Sequence, residues 1–140
     1  MLTNEYNDVF KVLYGYLNDE SAYSPLVTKK APLRPTTFPV VEIRCEELPM
    51  TETTRLEEWQ NRLDISINIY AIEKIVNNKK VSSLQIISEL TNLIDKAMTE
   101  MNFTLTRNSE IENADKNVDR RLLEYTAGVW GMSNKIIRRN

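Results

Sequence analysis

The 140-residue sequence contains no histidine, one cysteine and three glycines. The absence of histidine excludes Ser-His-Asp and Cys-His catalysis, histidine-ligated metals and an imidazole switch near neutral pH. The lone Cys45 cannot form an internal disulfide or a zinc site, and its neighbours Glu46 and Glu47 would raise the pKa of its thiol rather than activate it. Neither GxxxxGK[ST] nor GxGxxG occurs. We therefore expect no nucleotide-binding enzyme of the usual kinds, no cofactor and no metal, whereas catalysis by carboxylates or lysine remains open.

Length and composition are those of one globular domain spanning residues 1–140. Hydrophobic residues make up 41% of the chain and charged residues 27%, which excludes wholesale disorder. No window approaches eighteen consecutive apolar residues, so we expect no membrane partner. The net charge of −2 gives no global attraction to nucleic acid.

Two segments have the three-and-four spacing of amphipathic helices. In residues 4–18 the apolar positions form one stripe, which Gly15 weakens, marking either close packing or an early helix end. Ser82 and Gln85 have the spacing of a capping box, and the helix after them extends to about Met101. The predicted stripe of the first helix is Tyr6, Val9, Phe10, Leu13, Tyr14 and Leu17; that of the second is Leu84, Ile87, Leu90, Ile94, Ala97, Met98 and Met101.

Four segments have the pattern of β-strands: residues 38–46, 63–72, 103–107 and 118–130. Leucine, isoleucine and alanine alternate with polar residues through 63–72, which predicts a sheet with one wet face. The element order is α-β-β-α-β-β. It predicts an α+β fold with a mainly antiparallel four-stranded sheet and both helices packed on one of its faces.

A proline-rich connection at about residues 19–38 joins the first helix to the first strand. It contains prolines and few apolar anchors, and the loop at residues 46–58 is similarly polar. We expect both segments to be mobile in the free subunit and to settle on binding neighbours.

Charge is unevenly distributed along the chain. Residues 42–58 contain six acidic and two basic residues, a net charge of −4, whereas residues 116–140 contain six basic and two acidic residues, a net charge of +4. These segments could pair as adjacent strands of one subunit or between neighbours in a head-to-tail ring, and composition leaves both options open. The candidate subunit or partner interface is Arg120, Arg121, Tyr125, Trp130, Arg138 and Arg139.

The layout of the chain resembles the tail-terminator, or tail-completion, neck proteins of long-tailed bacteriophages. The resemblance is one of segment order over nearly the whole chain, without a diagnostic catalytic signature. The segments that show it are FPVVEIR (38–44), PMTETTR (49–55), SSLQIISELTNLIDKAM (82–98) and RRLLEYTAGVWGMSNKIIRR (120–139).

The resemblance implies a non-enzymatic ring, usually a hexamer, that seats on the last ring of the tail tube, stops its growth and joins the tail to the head. Its partners would be copies of itself, the tail tube protein and a head connector or stopper protein, with DNA only as passing cargo. Such a protein would be assembled in the host cytoplasm and located in the virion. Acidic side chains lining the lumen would repel DNA phosphates; the candidates are Glu46, Glu47, Glu52, Glu57 and Glu58.

Three alternatives remain from the sequence. A head-closure or connector-adaptor protein would be another small ring subunit of the same neck. A nucleic-acid-binding module would use basic residues with an aromatic side chain stacking on bases. An enzyme would need paired carboxylates, as at Asp19–Glu20, Glu46–Glu47 and Glu57–Glu58, but adjacent residues of a strand point to opposite faces. The residues of the nucleic-acid alternative are Lys29, Lys30, Arg120, Arg121, Arg138 and Arg139, with Tyr125 or Trp130.

Overall fold

A computed structural model of the chain describes residues 4–49 and 61–129. Along the chain the elements are α1 (Asn4–Glu20), β1 (Leu26–Thr28), β2 (Val40–Pro49), β3 (Asn61–Ala71), β4 (Lys74–Val76), β5 (Lys79–Val81), α2 (Ser83–Glu100), β6 (Thr104–Ile111) and β7 (Asp119–Val129).

The main sheet has five strands in the order β1-β2-β3-β7-β6. Strands β2, β3, β7 and β6 pair antiparallel, whereas β1 pairs parallel with β2. The hairpin β4–β5 forms a separate two-stranded sheet. The α+β class is confirmed. The predicted four-stranded sheet is too small, because β1 forms within the proline-rich connection, where no strand was predicted, and its parallel pairing with β2 makes the sheet mixed.

One face of the main sheet is apolar because side chains alternate along each strand. We call it the helix face, since buried residues of α1 and α2 join it in a single hydrophobic cluster. Leu90, Ile94 and Met98 of α2 have no exposed surface. The sheet contributes Val41, Ile43, Leu63, Ile65, Ile67, Ile69, Ala71, Leu123, Tyr125 and Ala127 to this cluster. We call the opposite, largely polar face the open face.

The helices differ from prediction at particular positions. Helix α1 continues through Gly15 to Glu20, and a Cβ at Gly15 would have no neighbour within 4 Å, so this glycine marks neither a helix end nor close packing. Tyr14 is 51% exposed and Leu84 is 60% exposed. Both were predicted to be buried. Leu84 is exposed because the first turn of α2 lies beside the edge strand β6, where the sheet ends.

Local signals fix the ends of several elements. The side chain of Ser82 accepts a hydrogen bond from the backbone amide of Gln85, as the capping-box spacing predicts. Asn77 and Asn78 both have positive φ and form the two-residue turn between β4 and β5, a conformation that asparagine tolerates. Neither of these two short strands is among the four predicted from the sequence.

Strand ends also extend beyond their predicted limits. Strand β2 begins at Val40 and continues to Pro49, so the first residues of the predicted 46–58 loop belong to a strand. Strand β6 continues to Ile111 and has a bulge between Leu105 and Arg107. These extensions depend on pairing with distant strands, which polar sequences such as Asn108–Ile111 do not signal locally.

Candidate interaction surfaces

The neighbouring arginines Arg120 and Arg121 lie on opposite faces of the sheet. Arg120 pairs in register with Tyr70 of β3, and its Nε donates a 2.9 Å hydrogen bond to Oδ1 of Asn68 on the open face. Its guanidinium also lies 5.3 Å from the centroid of the Tyr70 ring. The two arginines therefore do not form one basic patch, and Arg120 is engaged in a structural network.

That network ends at Glu42, a carboxylate that is only 3% exposed. Asn68 Nδ2 lies 3.4 Å from Oε1 of Glu42, and Arg44 Nη2 donates to Oε2 at 3.2 Å. The backbone amide of Ala31 also donates to Oε2, at 2.8 Å. A buried charge needs such partners, and one of them belongs to the segment 29–39, which we call the flap.

The flap covers the end of the open face that contains Glu42 and Tyr70. Lys74 reinforces this arrangement, because its Nζ donates hydrogen bonds to the backbone carbonyls of Tyr23 and Phe38, at 2.8 and 3.2 Å. A cleft of about 670 Å³ separates the flap from residues 113–118 of the β6–β7 connection. At the exposed tip of the flap, Leu33 has 101% relative exposure and Arg34 is also exposed.

The rest of the open face is a lattice of alternating charges, which we call the charge lattice. The register brings Arg44, Ser66, Glu124 and Arg107 into one row and Glu46, Asp64, Thr126 and Thr104 into the next, with Arg62 beyond. Arg62 Nε lies 3.2 Å from Asp64 Oδ1, and Arg107 Nη1 lies 3.9 Å from Glu124 Oε1. Thr126 donates a 2.8 Å hydrogen bond to Asp64. Three arginines and three carboxylates make this surface neutral.

Arg121 lies on the helix face, where Nη1 donates a 2.7 Å hydrogen bond to Oδ1 of Asn108. It lines a groove of about 440 Å³ between α2 and β6, which we call the α2–β6 groove. Leu84 and Ile87 give this groove an apolar side, and Glu110 and Asp119 give it carboxylates. Asp119 accepts a hydrogen bond from the hydroxyl of Ser83.

Tyr125 is 1% exposed and belongs to the core. Its hydroxyl donates a 2.9 Å hydrogen bond to Asp95 of α2, and burial together with this carboxylate raises the pKa of Tyr125 far above its ordinary value. The expectation that Tyr125 contacts a partner is therefore corrected. For the same reason Tyr125 cannot stack on a base, which removes a main element of the nucleic-acid alternative.

The predicted acidic candidates are also divided by the sheet. Glu46 is exposed and in register with Asp64 on the open face, whereas Glu47 is half-buried and in register with Leu63 on the helix face. Glu52, Glu57 and Glu58, like Trp130, Arg138 and Arg139, lie outside the described residues. Strand β3 separates β2 from β7, so the described parts of the acidic and basic segments are not adjacent strands.

Cys45 occupies a half-buried position in β2. Burial, followed by the charges of Glu47, Asp64 and Glu46, raises the pKa of its thiol to about 12. The direction matches the sequence-based prediction, although burial is a larger cause than the adjacent carboxylates. Such a thiol is a poor nucleophile at neutral pH.

Sequence reasoning missed Glu42 and Leu33 as notable residues. Glu42 lies on the polar side of β2, where alternation predicts an exposed side chain. It is buried because the flap covers it. Leu33 stands between Pro32 and Pro35, a setting in which a leucine is as readily buried as exposed. The signal that could have identified Leu33 is the occurrence of a leucine within a basic, proline-rich segment.

Comparison of the chain with protein-family models and with curated proteins found no match. Within residues 4–49 and 61–129, no three histidine, cysteine, aspartate or glutamate side chains form a group that could hold a metal ion. Neither α1 nor α2, the helices of the described ranges, is long and apolar enough to cross a membrane.

Proposed function

We propose that this protein is a structural subunit of a bacteriophage neck, forming a homo-oligomeric ring that caps the tail tube, stops its growth and joins the tail to the head. The proposal starts from the resemblance in segment order. The α+β class of the fold is compatible with it. The ring would contain several copies, with six as the expected number.

The observation that best supports the proposal is the charge lattice of the open face. A ring that lets DNA pass needs a wet surface that does not retain phosphates. Here the exposed guanidiniums of Arg62 and Arg107 already face carboxylates at 3.2 and 3.9 Å, and the lattice has no net charge. Because nonspecific DNA binding depends on unneutralised lysine and arginine, such a surface offers phosphate little attraction. We assign the charge lattice to the lumen or to a ring face.

Tube growth tests this function directly. Purified tail tube protein of the same phage would be assembled with and without this protein, and tube lengths would be measured by electron microscopy. We expect short tubes with ring density at one end in its presence and continued elongation in its absence. Tubes of equal length distribution without end density would overturn the proposal. Copurification with filled heads instead of tubes would replace it with the head-closure role.

A further inference from the structure

We propose that the tip of the flap, Leu33 and Arg34, docks into the α2–β6 groove of a second copy of this chain. This inference rests on the proposed ring function and names the contact that would build the ring. It assigns two different surfaces of one subunit to one heterologous interface, in which each copy inserts its flap into the next.

The flap tip has the form of an interface anchor. Leu33 is fully exposed, and Arg34 beside it has no ion-pair or hydrogen-bond partner within the described part of the chain. The Ala31–Glu42 hydrogen bond and the contact of Lys74 with the Phe38 carbonyl hold the base of the flap. A leucine presented on a fixed base loses less conformational entropy on binding than one on a free loop.

The α2–β6 groove is complementary to this tip. Its apolar side includes Leu84, which is 60% exposed, next to Ile87. On the other side, Glu110 has no side-chain hydrogen bond or ion pair among residues 4–49 and 61–129, although Arg121 lies opposite it in register and lines the same groove. A leucine tip could cover the apolar side while the arginine beside it reaches the carboxylate, which is the mixture of apolar anchor and charged rim that stable interfaces use.

The charges of the two segments are opposite. Residues 26–34 contain three basic residues and no acidic one, a net charge of +3, whereas residues 108–119 contain four acidic residues and one basic one, a net charge of −3. Both segments border the cleft on the open face, yet no ion pair between described residues joins Arg34 or Lys30 to a carboxylate there. Arg34 and Lys30 are therefore available to a carboxylate of another copy.

The sheet prevents a chain from filling its own groove. The flap lies over Glu42 and Tyr70 on the open face, whereas the groove lies on the helix face, between α2 and the edge strand β6. Strands β2 and β6 are three strand spacings apart, about 14 Å. A second copy is the occupant that supplies the matching flap, and repeating a contact between unlike surfaces closes a ring when the rotation permits.

A complementation experiment tests this contact. The flap variant Leu33→Asp with Arg34→Glu retains a normal groove, and the groove variant Leu84→Asp with Glu110→Lys retains a normal flap. We expect the wild-type protein to form oligomers, and each variant alone to associate at least about thirtyfold more weakly. The two variants mixed should form a one-to-one dimer and nothing larger, because only one functional contact remains. Sedimentation velocity at several concentrations measures these masses.

The matched control is Ile75→Asp, since Ile75 is 67% exposed on the β4–β5 hairpin and lies outside both surfaces. It should assemble as the wild type does, and circular dichroism checks that every variant is folded. A charge-exchange variant that carries both Arg34→Glu and Glu110→Arg should recover association, because the proposed pair then has opposite charges again. A flap variant that assembles normally, a mixture that yields only monomers, or a wild-type chain that stays monomeric at every concentration would overturn the contact.

The tube assay separates this inference from the proposed function. If the wild type and the flap variant both shorten tubes and form rings, the function stands and this contact is rejected. If the variants behave as expected in sedimentation but the wild type leaves tube growth unchanged, the contact stands and the function is rejected.

Discussion

The backbone amide of Ala31 donates a 2.8 Å hydrogen bond to Glu42, a carboxylate that is 3% exposed and lies in β2, next to the edge strand β1. This bond attaches the flap to the open face. It also supplies part of the compensation that a buried carboxylate requires, together with Arg44 and Asn68. The position of the flap and the burial of Glu42 therefore depend on each other.

Replacing Glu42 should loosen the flap and destabilise the fold. In Glu42→Gln the charge-assisted hydrogen bonds to Ala31 and Arg44 are lost, and we expect the free energy of unfolding to fall by about 1.5–3 kcal/mol. Urea unfolding measures this change, and hydrogen exchange of the Ala31 amide should become faster. Glu46→Gln is the control because Glu46 is exposed on the same face of the same strand. Equal effects of the two substitutions would contradict the role of Glu42.

Tyr125→Phe should cost about 1–2 kcal/mol of stability. The substitution keeps the buried ring but removes the hydroxyl that donates to Asp95 at 2.9 Å, which leaves that carboxylate without this partner. Tyr14→Phe serves as the comparison, since Tyr14 is 51% exposed. Chemical denaturation of both variants gives the difference, and a Tyr125→Phe protein as stable as the wild type would show that the hydrogen bond has no net value.

Stability should decline between about pH 10 and pH 12. Burial and the hydrogen bond to Glu89 raise the pKa of Tyr23 from 10.0 to about 12. In this interval unfolded Tyr23 loses its proton while native Tyr23 retains it, so rising pH favours unfolding. Full stabilisation is present below pH 10 and is lost as pH passes the native pKa. The raised pKa values of Cys45 and Tyr125 act in the same direction.

The contribution of Tyr23 to this decline can be isolated with Tyr23→Phe. The variant should be less stable at pH 8, because it lacks the 2.6 Å hydrogen bond to Glu89. Its unfolding free energy should nevertheless fall less steeply with pH above 10. Urea unfolding at half-unit pH intervals provides both quantities. Parallel curves for the two proteins would show that Tyr23 does not titrate differently in the native state.

Gly15→Ala should stabilise the protein by about 0.5–1 kcal/mol. Gly15 lies inside α1, and a Cβ built there meets nothing within 4 Å, so the gain in helix propensity comes without a steric cost. Gly15→Ser should give a smaller gain because serine is a weaker helix former than alanine. Thermal unfolding ranks the three proteins. A loss of stability in the alanine variant would contradict the open space around a Cβ at this position.

Local patterns predicted the elements with strong periodicity. The alternation in residues 63–72 predicted β3 and its buried side, and the Ser82–Gln85 spacing predicted the start of α2. Strand β1 has only three residues and depends on pairing with β2, so no periodic signal could show it. Short segments of this kind are stabilised by distant partners rather than by their own sequence.

The candidate residues were harder to place than the strands that contain them. Alternation along β7 requires Arg120 and Arg121 to lie on opposite faces of the sheet. It does not predict which of the two lies on the face covered by the helices. Tyrosine is a residue type that is common at interfaces, yet Tyr125 lies in the core. Its hydroxyl can be buried there because Asp95 of α2 accepts a hydrogen bond from it.

Residue spacing along single segments is sufficient to predict the α+β class, most of the apolar stripe of each helix and the two-sided pattern of the central strands. The strand order, the burial of Glu42 beneath the flap and the exposure of Leu33 opposite a groove on the other face follow only from the folded chain. Those properties depend on which distant segments meet. Pairing energies between segments far apart in sequence, rather than local periodicity, select that arrangement.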